Sequence, residues 1–188
     1  MVYRIPAVNL VGRGCLAQLK DEIGTLGCKK ALVVSDKFLT ENGVVEKVTK
    51  VLDQVGIEHT LYNDVKQNPS VANVEGGLEV LKKENCDFIV SIGGGSPQDC
   101  GKAISVLATN GGKITDYEGV NKSQKKCLPI VAIATTAGTS AEVTINYVIT
   151  DEETHIKMIM VDRNTLASIT VNDPELMLSK PAGLTAAT

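Results

Sequence analysis

Three consecutive glycines and the polar residues after them are the part of this sequence most suited to chemistry. The stretch GGGSPQD, residues 93–99, directly follows the apolar run DFIVSI, residues 87–92. If that run is a buried strand and a helix begins after it, the first N–H groups of the helix and the positive end of its dipole form an anion site. Glycines also let a ligand approach the backbone closely. The stretch therefore predicts a site for a phosphate or a pyrophosphate.

The same residues satisfy the rules for a helix start. We expect Ser96 to cap the helix, Pro97 to occupy its first position and Asp99 to complete a capping-box-like pair. The alternative is a tight strand-to-helix turn with a good cap, but three adjacent glycines cost much chain entropy for that purpose alone. The P-loop pattern is absent because Ala103 follows Lys102 where a hydroxyl is required, and G-x-G-x-x-G is also absent.

Polar residues follow two other apolar runs. Asp36 comes directly after ALVVS, residues 31–35, where a carboxylate can accept both hydroxyls of an adenosine ribose and would repel a 2′-phosphate. The alternative for Asp36 is a helix cap, and spacing does not decide between the two. The hydroxyl-rich stretch TTAGTSAE, residues 135–142, follows PIVAIA. It predicts a second ligand-facing turn, with an ordinary capped loop as the alternative.

The segments that must position these residues alternate between short β-branched runs, typical of strands, and longer segments with apolar residues at helical spacing. Residues 41–55 and 71–83 carry apolar side chains at helical spacing, between short β-branched runs. Strands alternating with helices predict a doubly wound α/β fold with a mostly parallel sheet. A β-hairpin over residues 144–162 is expected at the sheet edge. The strand candidates are residues 31–35, 57–63, 87–92 and 129–134.

Composition restricts the class of partner. The 188 residues carry a net charge of −3 without runs of one sign, and they include two Phe and no Trp, so neither nucleic acid nor an anionic membrane is expected as a partner. The five cysteines are scattered without a C-x-x-C pair, which indicates reduced thiols and a cytoplasmic protein. The last residues, 181–188, read as the beginning of a helix, so we expect this chain to be part of a longer protein.

Five motifs in the sequence resemble those of the iron-containing (group III) alcohol dehydrogenases, in the same order. The motifs are GGGSPQDCGKAI, DYEGV, TTAGTSAEVT, the hairpin NYVITDE with HIKMIMVD, and NDPELM followed by LTAAT. Within the family, the lactaldehyde (1,2-propanediol) oxidoreductase, 1,3-propanediol dehydrogenase and threonine dehydrogenase types are the most similar. The resemblance implies a Rossmann-like α/β domain over residues 1–180 that binds NAD. Residues 181–188 would begin a helical domain, absent from this chain, that holds Fe²⁺ or Zn²⁺.

The resemblance also assigns roles to individual residues. It places cofactor contacts at Asp36, Asn68, Gly94, Gly95, Ser96, Asp99, Thr135, Thr136, Thr139, Thr144, Val148, Lys157, Leu176 and Leu184. The usual TTAGTGSE reads TTAGTSAE here, so no contact is assigned to residues 140 and 141. No catalytic or metal-binding residue is expected, because the family's ligands would follow LTAAT and the two histidines, His59 and His155, are far apart.

The expected activity is hydride transfer between a primary alcohol or diol, or its aldehyde, and NAD, in a homo-oligomeric enzyme of which this half alone is inactive. Two alternatives are a stand-alone nucleotide-binding module and a relative of glycerol dehydrogenase or dehydroquinate synthase, whose loops also resemble GGGS. A further hypothesis is that Cys100, one residue after Asp99, is an oxidation-sensitive thiol near the phosphates.

Overall fold

A sheet of six parallel strands forms the centre of the protein. The computed structural model describes residues 4–178 and 180–188, except for the side chains of Leu184 and Ala187. The strands are β1 (Val8–Val11), β2 (Lys30–Val34), β3 (Glu58–Tyr62), β4 (Phe88–Gly93), β5 (Gly119–Val120), β6 (Ile130–Ala134), β7 (Asn146–Asp151), β8 (Ile156–Val161) and β9 (Ile169–Asn172). The helices are α1 (Leu19–Glu22), α2 (Lys37–Glu41), α3 (Val44–Gln54), α4 (Val71–Lys83), α5 (Gly95–Asn110) and α6 (Ala182–Ala187).

The strand order confirms the predicted α/β fold. The main sheet runs β1-β9-β6-β4-β2-β3, and every neighbouring pair is parallel. From β2 the chain moves outward to β3 and then returns to the other side of β2 to form β4. The order therefore reverses between β2 and β4, and in open α/β sheets ligands bind at such a point, beyond the carboxyl ends of the strands.

Both faces of the sheet are covered, which explains why its central strands are mostly apolar. Along β2, Ala31 and Val33 belong to the core cluster that includes α1 and α3. Leu32 and Val34 belong to the opposite cluster, which includes α4, α5 and the hairpin. Successive side chains of a strand point to opposite faces, so one run of β-branched residues contributes to both cores.

The two helices predicted over residues 41–55 and 71–83 are confirmed as α3 and α4, and the first begins later than expected. Ser70 and Asn73 form a reciprocal capping box, with Asn73 N donating to Ser70 Oγ and Ser70 N donating to Asn73 Oδ1, each at 3.4 Å. The helix expected over residues 41–55 is α3, which begins three residues later than expected, and the short helix α2 precedes it. Gly43, in the left-handed region at φ 73°, separates them. Such a residue ends one helix and cannot continue it.

The hairpin prediction is right about the strands and wrong about their position. β7 and β8 pair antiparallel, but they join β5 in a separate three-stranded sheet rather than extending the main one. The edges of the main sheet are already occupied by β1 and β3, two strands of which the sequence predicted only β3. The buried side of the hairpin, with Tyr147, Ile149, Met158 and Met160, belongs to the core cluster over α5.

In the described part of the chain, no helix combines the length and the apolar character that crossing a bilayer requires.

Candidate functional site

A groove of about 380 Å³ lies where the strand order reverses. β2 ends just before Asp36, and β4 ends in the glycine turn, so the residues predicted from sequence as ligand-facing meet at one edge of the sheet. The groove is lined by Asp36, Phe38, Val65, Lys66, Gln67, Gly94, Gly95, Ser96, Pro97, Thr136 and Lys180.

The three glycines of the turn differ in what a side chain at each position would meet. Gly93 has φ 153°, and a Cβ built there would lie 2.5 Å from Pro97 Cγ. A Cβ on Gly94 would lie 3.0 Å from Thr136 Oγ1. A Cβ on Gly95 would have only Thr139 Cγ2 nearby, at 3.9 Å, although Gly95 lines the groove. The first two glycines therefore permit the turn itself, whereas the third leaves space for something that approaches the backbone.

The expected capping of α5 is wrong in all three of its residues, because the helix begins at Gly95 with Gly94 as its N-cap. Ser96 Oγ instead accepts a hydrogen bond from Asn68 N at 3.2 Å. Pro97 is the third helical residue, where the N–H that proline lacks would have had no intrahelical acceptor. Asp99 Oδ2 accepts from Val148 N at 3.1 Å, so it holds β7 and not the helix start.

Gln98, to which the sequence assigned no role, holds the turn to the sheet. Its side chain is 1% exposed, and its Nε2 donates to the carbonyl oxygens of Ser91 and Ile133 at 3.3 and 3.0 Å. Ser91 Oγ donates to Gln98 Oε1. One buried amide thereby joins α5 to both β4 and β6, and it makes the glycine turn a rigid part of the sheet edge.

Two hydroxyls beside the turn have no hydrogen-bond partner within the described residues. These buried atoms are Thr135 Oγ1 and Thr136 Oγ1. A buried hydroxyl without a partner costs free energy, and Thr136 lines the groove, so a ligand that bonds to its hydroxyl would recover that cost. Together with the open space beside Gly95 and the N-terminus of α5, they fit a ligand that carries phosphates and ribose hydroxyls, such as NAD.

Asp36 caps a helix, which is one of the two interpretations that the sequence left open, and it also lines the groove. Its Oδ1 accepts from Leu39 N at 2.8 Å and so caps α2. The same side chain lines the groove, and its second carboxylate oxygen is available to a ligand. The cap fixes the position of the carboxylate just beyond the end of β2, and ribose binding by Asp36 stays a prediction.

Asn68 links the glycine turn to the hairpin. Its backbone is in the left-handed region at φ 55°, its N–H donates to Ser96 Oγ, and its Oδ1 accepts from Lys157 Nζ at 2.9 Å. Asn68 and Lys157 were both assigned to the cofactor by resemblance. The structure brings them into contact with each other beside the groove.

The other assigned residues fall into three groups. Thr144 and Val148 are held by side chains of α5, through Lys102 and Asp99. Leu176 is 2% exposed and part of the main core, so its side chain does not reach the groove surface. The side chain of Leu184 lies outside the described residues.

Burial shifts the pKa of two neighbouring groups on α5. Burial raises the pKa of Asp99 to about 6, and the charge of Lys102 and the hydrogen bond from Val148 N oppose this increase. Burial lowers the pKa of Lys102 to about 8, against the attraction of Asp99 and Glu142. Burial therefore disfavours the charged form of each group, and the attraction between the two opposite charges opposes both shifts. The sequence signal that could have indicated burial of Lys102 is its position among the apolar residues of α5.

Cys100 does not fit the hypothesis of a sensor thiol. Its side chain is 0% exposed, and burial, followed by the charge of Asp99, raises the pKa of the thiol. All five cysteines are free, and Cys28 is the one that is not buried.

We expect alkylation of the native protein to modify Cys28 well before Cys100, because the reagent needs an accessible thiolate. Mass spectrometry of peptides after a timed reaction with iodoacetamide measures both rates, and urea-denatured protein provides the fully reactive control. Equal labelling of Cys100 and Cys28 in the native protein would contradict the burial of Cys100.

Comparisons with known proteins agree with this arrangement. A family profile described as iron-containing alcohol dehydrogenase matches residues 6–174. Alcohol dehydrogenase 4 of Schizosaccharomyces pombe (strain 972 / ATCC 24843) is 52% identical over 186 residues, which are 99% of this chain and 44% of that relative. NAD-dependent methanol dehydrogenase of Bacillus methanolicus is 44% identical over 186 residues, which are 99% of this chain and 49% of that relative.

Solved structures give the same result. A crystal structure of 1,3-propanediol oxidoreductase superposes with a TM-score of 0.97 at 44% sequence identity, over 100% of this chain and 49% of that one. The chain thus spans about half the length of the relatives it matches.

Proposed function

The chain belongs to the iron-containing alcohol dehydrogenase family, and from this premise we propose that it is the NAD(H)-binding half of a metal-dependent alcohol dehydrogenase. The whole enzyme would transfer hydride between a primary alcohol or diol, or its aldehyde, and NAD. The observation that carries the proposal is the open space beside Gly95, at the N-terminus of α5 and at the point where the strand order reverses. A relative named as NAD-dependent supports the choice of cofactor.

Each part of the groove has a role in this proposal. The backbone N–H groups of Gly95 and Ser96, at the start of α5, bind the pyrophosphate. Asp36 accepts the hydroxyls of the adenosine ribose, and its charge disfavours a 2′-phosphate. Thr135 and Thr136 supply the hydroxyls that lack partners. The nicotinamide, when bound, supplies the position that accepts or donates hydride.

We assign the metal to a part of the enzyme outside these 188 residues. Among residues 4–178 and 180–188, no three His, Cys, Asp or Glu side chains are placed to hold an ion together. His59 lies beside Asp53, with Nε2 and Oδ1 3.1 Å apart, and His155 lies in the β7–β8 turn. We propose that residues 1–180 are the cofactor domain and that residues 181–188 begin the helical domain that binds Fe²⁺ or Zn²⁺. A homo-oligomer in the cytoplasm, dimeric or larger, remains part of the proposal.

The test is a titration of the purified chain with NADH and then NADPH, followed by nicotinamide fluorescence. We expect saturable binding that favours NADH. Asp36→Gly should lower the affinity for NADH by about tenfold and remove the preference over NADPH, because the ribose then loses a charged hydrogen-bond acceptor. The chain alone should not oxidise alcohols.

Asp36→Asn separates the carboxylate charge from the helix cap. Asparagine caps a helix as well as aspartate does, so this variant should keep the stability of the wild type and still lose the preference for NADH. Asp21→Asn, at an exposed position on α1, is the matched control and should change neither. A folded wild-type chain that binds neither nucleotide would refute the proposed function.

A further inference from the structure

The segment of residues 64–70, between β3 and α4, forms one wall of the groove, and we call it the wall segment. Its side chains Lys66 and Gln67 line the groove and are exposed. An ammonium group and a side-chain amide can both donate hydrogen bonds to phosphate oxygens. In the middle of the segment, Asn68 N donates to Ser96 Oγ on α5 at 3.2 Å. The position of the wall segment therefore sets the shape of the groove beside the glycine turn.

One buried amide from α4 holds both ends of the wall segment. Asn73 lies in the first turn of α4 and is 6% exposed. Its Oδ1 accepts from Lys66 N at 3.3 Å and from Ser70 N at 3.4 Å, and its Nδ2 donates to Asp64 O at 3.0 Å. An asparagine side chain can accept two hydrogen bonds and donate two. Three of these four possible bonds join α4 to the wall segment.

The other contacts of the wall segment leave its first residues dependent on Asn73. Lys37 Nζ and Asp64 Oδ1 are 3.0 Å apart, but both side chains are mostly exposed, and exposed ion pairs contribute little to stability. At the other end, Pro69 O accepts from Thr150 N in β7 at 2.8 Å. This contact fixes the end of the segment next to α4. The amide of Asn73 is shielded from water, so it restrains the part that lines the groove more strongly than the exposed ion pair does.

The pattern of donors and acceptors requires asparagine rather than a residue of similar shape. Aspartate could accept from Lys66 N and Ser70 N, but it has no N–H group for Asp64 O and would place a charge beside that carbonyl. An apolar side chain would leave two backbone N–H groups without their acceptor, at a cost in free energy. Each substitution therefore loosens the wall segment without changing a group that lines the groove.

We infer that Asn73 is a positioning residue that preorganises the wall segment for the cofactor. The inference rests on the proposed function, since it assumes that the phosphates of NADH lie between the wall segment and the glycine turn. Asn73 acts through the segment and touches no ligand itself. A segment that is ordered before binding avoids the entropic cost of becoming ordered on binding, and this is how Asn73 raises the affinity.

The experiment compares Asn73→Ala with Ser70→Ala, which removes the other half of the same capping box. Ser70 Oγ accepts from Asn73 N, so its loss weakens the start of α4 but leaves the bonds from the Asn73 side chain to the wall segment in place. Titration calorimetry measures NADH and ADP affinities at a temperature at which circular dichroism shows both variants folded. Asn73→Ala is expected to weaken both ligands by about tenfold, and Ser70→Ala to stay within about twofold of the wild type.

A second measurement reports on the wall segment without any ligand. Trypsin can cleave after Lys66, and cleavage in a folded protein follows local opening of the chain. We expect the bond between Lys66 and Gln67 to be cut about tenfold faster in Asn73→Ala than in Ser70→Ala or the wild type. The exposed bond between Lys125 and Lys126, before β6, is the internal reference and should be cut at the same rate in all three proteins.

Each outcome decides for or against the role of Asn73. An equal loss of affinity in Ser70→Ala would show that affinity follows stability and would overturn the inference, as would wild-type affinity or unchanged cleavage after Lys66 in folded Asn73→Ala. If Asn73→Ala does not fold, Asn73→Asp replaces it, since aspartate keeps both acceptor bonds. Its affinity should fall by about threefold, and wild-type affinity would contradict the inference. A wild-type chain that binds neither NADH nor ADP refutes the proposed function, and the inference with it.

Discussion

Gly95→Ala is expected to reduce the affinity of this chain for NADH by roughly 100-fold without lowering its stability, because only the ligand needs the space that the methyl group would fill. Thr139 Cγ2, at 3.9 Å, is the nearest atom to a Cβ built on Gly95, which is ordinary van der Waals contact. Gly95 is also the first residue of α5, where alanine is compatible with the helix. The measurements are an NADH titration and urea unfolding followed by circular dichroism.

A different glycine of the same turn is the contrasting variant. Gly93→Ala should lower both affinity and stability, since its Cβ would lie 2.5 Å from Pro97 Cγ and its φ of 153° is rare for residues with a side chain. Gly24→Ala, at an exposed position with no atom within 4 Å of the added Cβ, should affect neither. Wild-type affinity in Gly95→Ala would favour the alternative in which the glycines serve only a tight turn.

Asp173→Ala is expected to lower the free energy of unfolding by about 3 kcal/mol, the largest stability effect of a single side chain that we predict. Asp173 is 2% exposed, and it accepts hydrogen bonds at 3.1 Å from the backbone N–H groups of Gly14, Leu16 and Glu175. The carboxylate joins the end of β9 to the turn after β1. Alanine would leave all three donors without their acceptor, partly inside the protein. Urea denaturation measures the change.

Two further substitutions separate charge from hydrogen bonding at this position. Asp173→Asn keeps one acceptor oxygen and places an NH₂ group against the remaining donors, so its stability should lie between those of the wild type and the alanine variant. Asp21→Ala, at an exposed position, should stay within about 0.5 kcal/mol of the wild type. A loss below 1 kcal/mol in Asp173→Ala would show that water replaces the carboxylate.

Local patterns in the sequence were sufficient to predict those helices and strands whose spacing and caps lie within a few residues of each other. α4 carries its helical spacing and its Ser70–Asn73 capping box within a few residues. β2 and β4 are mostly apolar because both of their faces are buried. The glycine turn between β4 and α5 was predicted from the same kind of signal, whereas the anion site at its end stays a prediction.

The exact start of α5 was not predictable from the sequence. Backbone N–H groups of the helix start and of distant segments can both bond to Ser96 and Asp99. A serine or an aspartate near a helix start can cap the helix, and sequence rules describe only that possibility. In the folded chain, Asn68 N and Val148 N use these side chains instead. Both partners are distant along the chain, and only the tertiary fold brings them to the turn.

The sequence by itself determined the α/β class, the family resemblance and the glycine turn, since each depends on patterns among residues that are neighbours along the chain. Only the tertiary structure decided where the hairpin packs, how β1 pairs with β9, and what Lys102 does. Strand pairing of short segments and the burial of a charge depend on partners far away in sequence. For Lys102 those partners are backbone carbonyls, which every residue possesses and no sequence pattern marks.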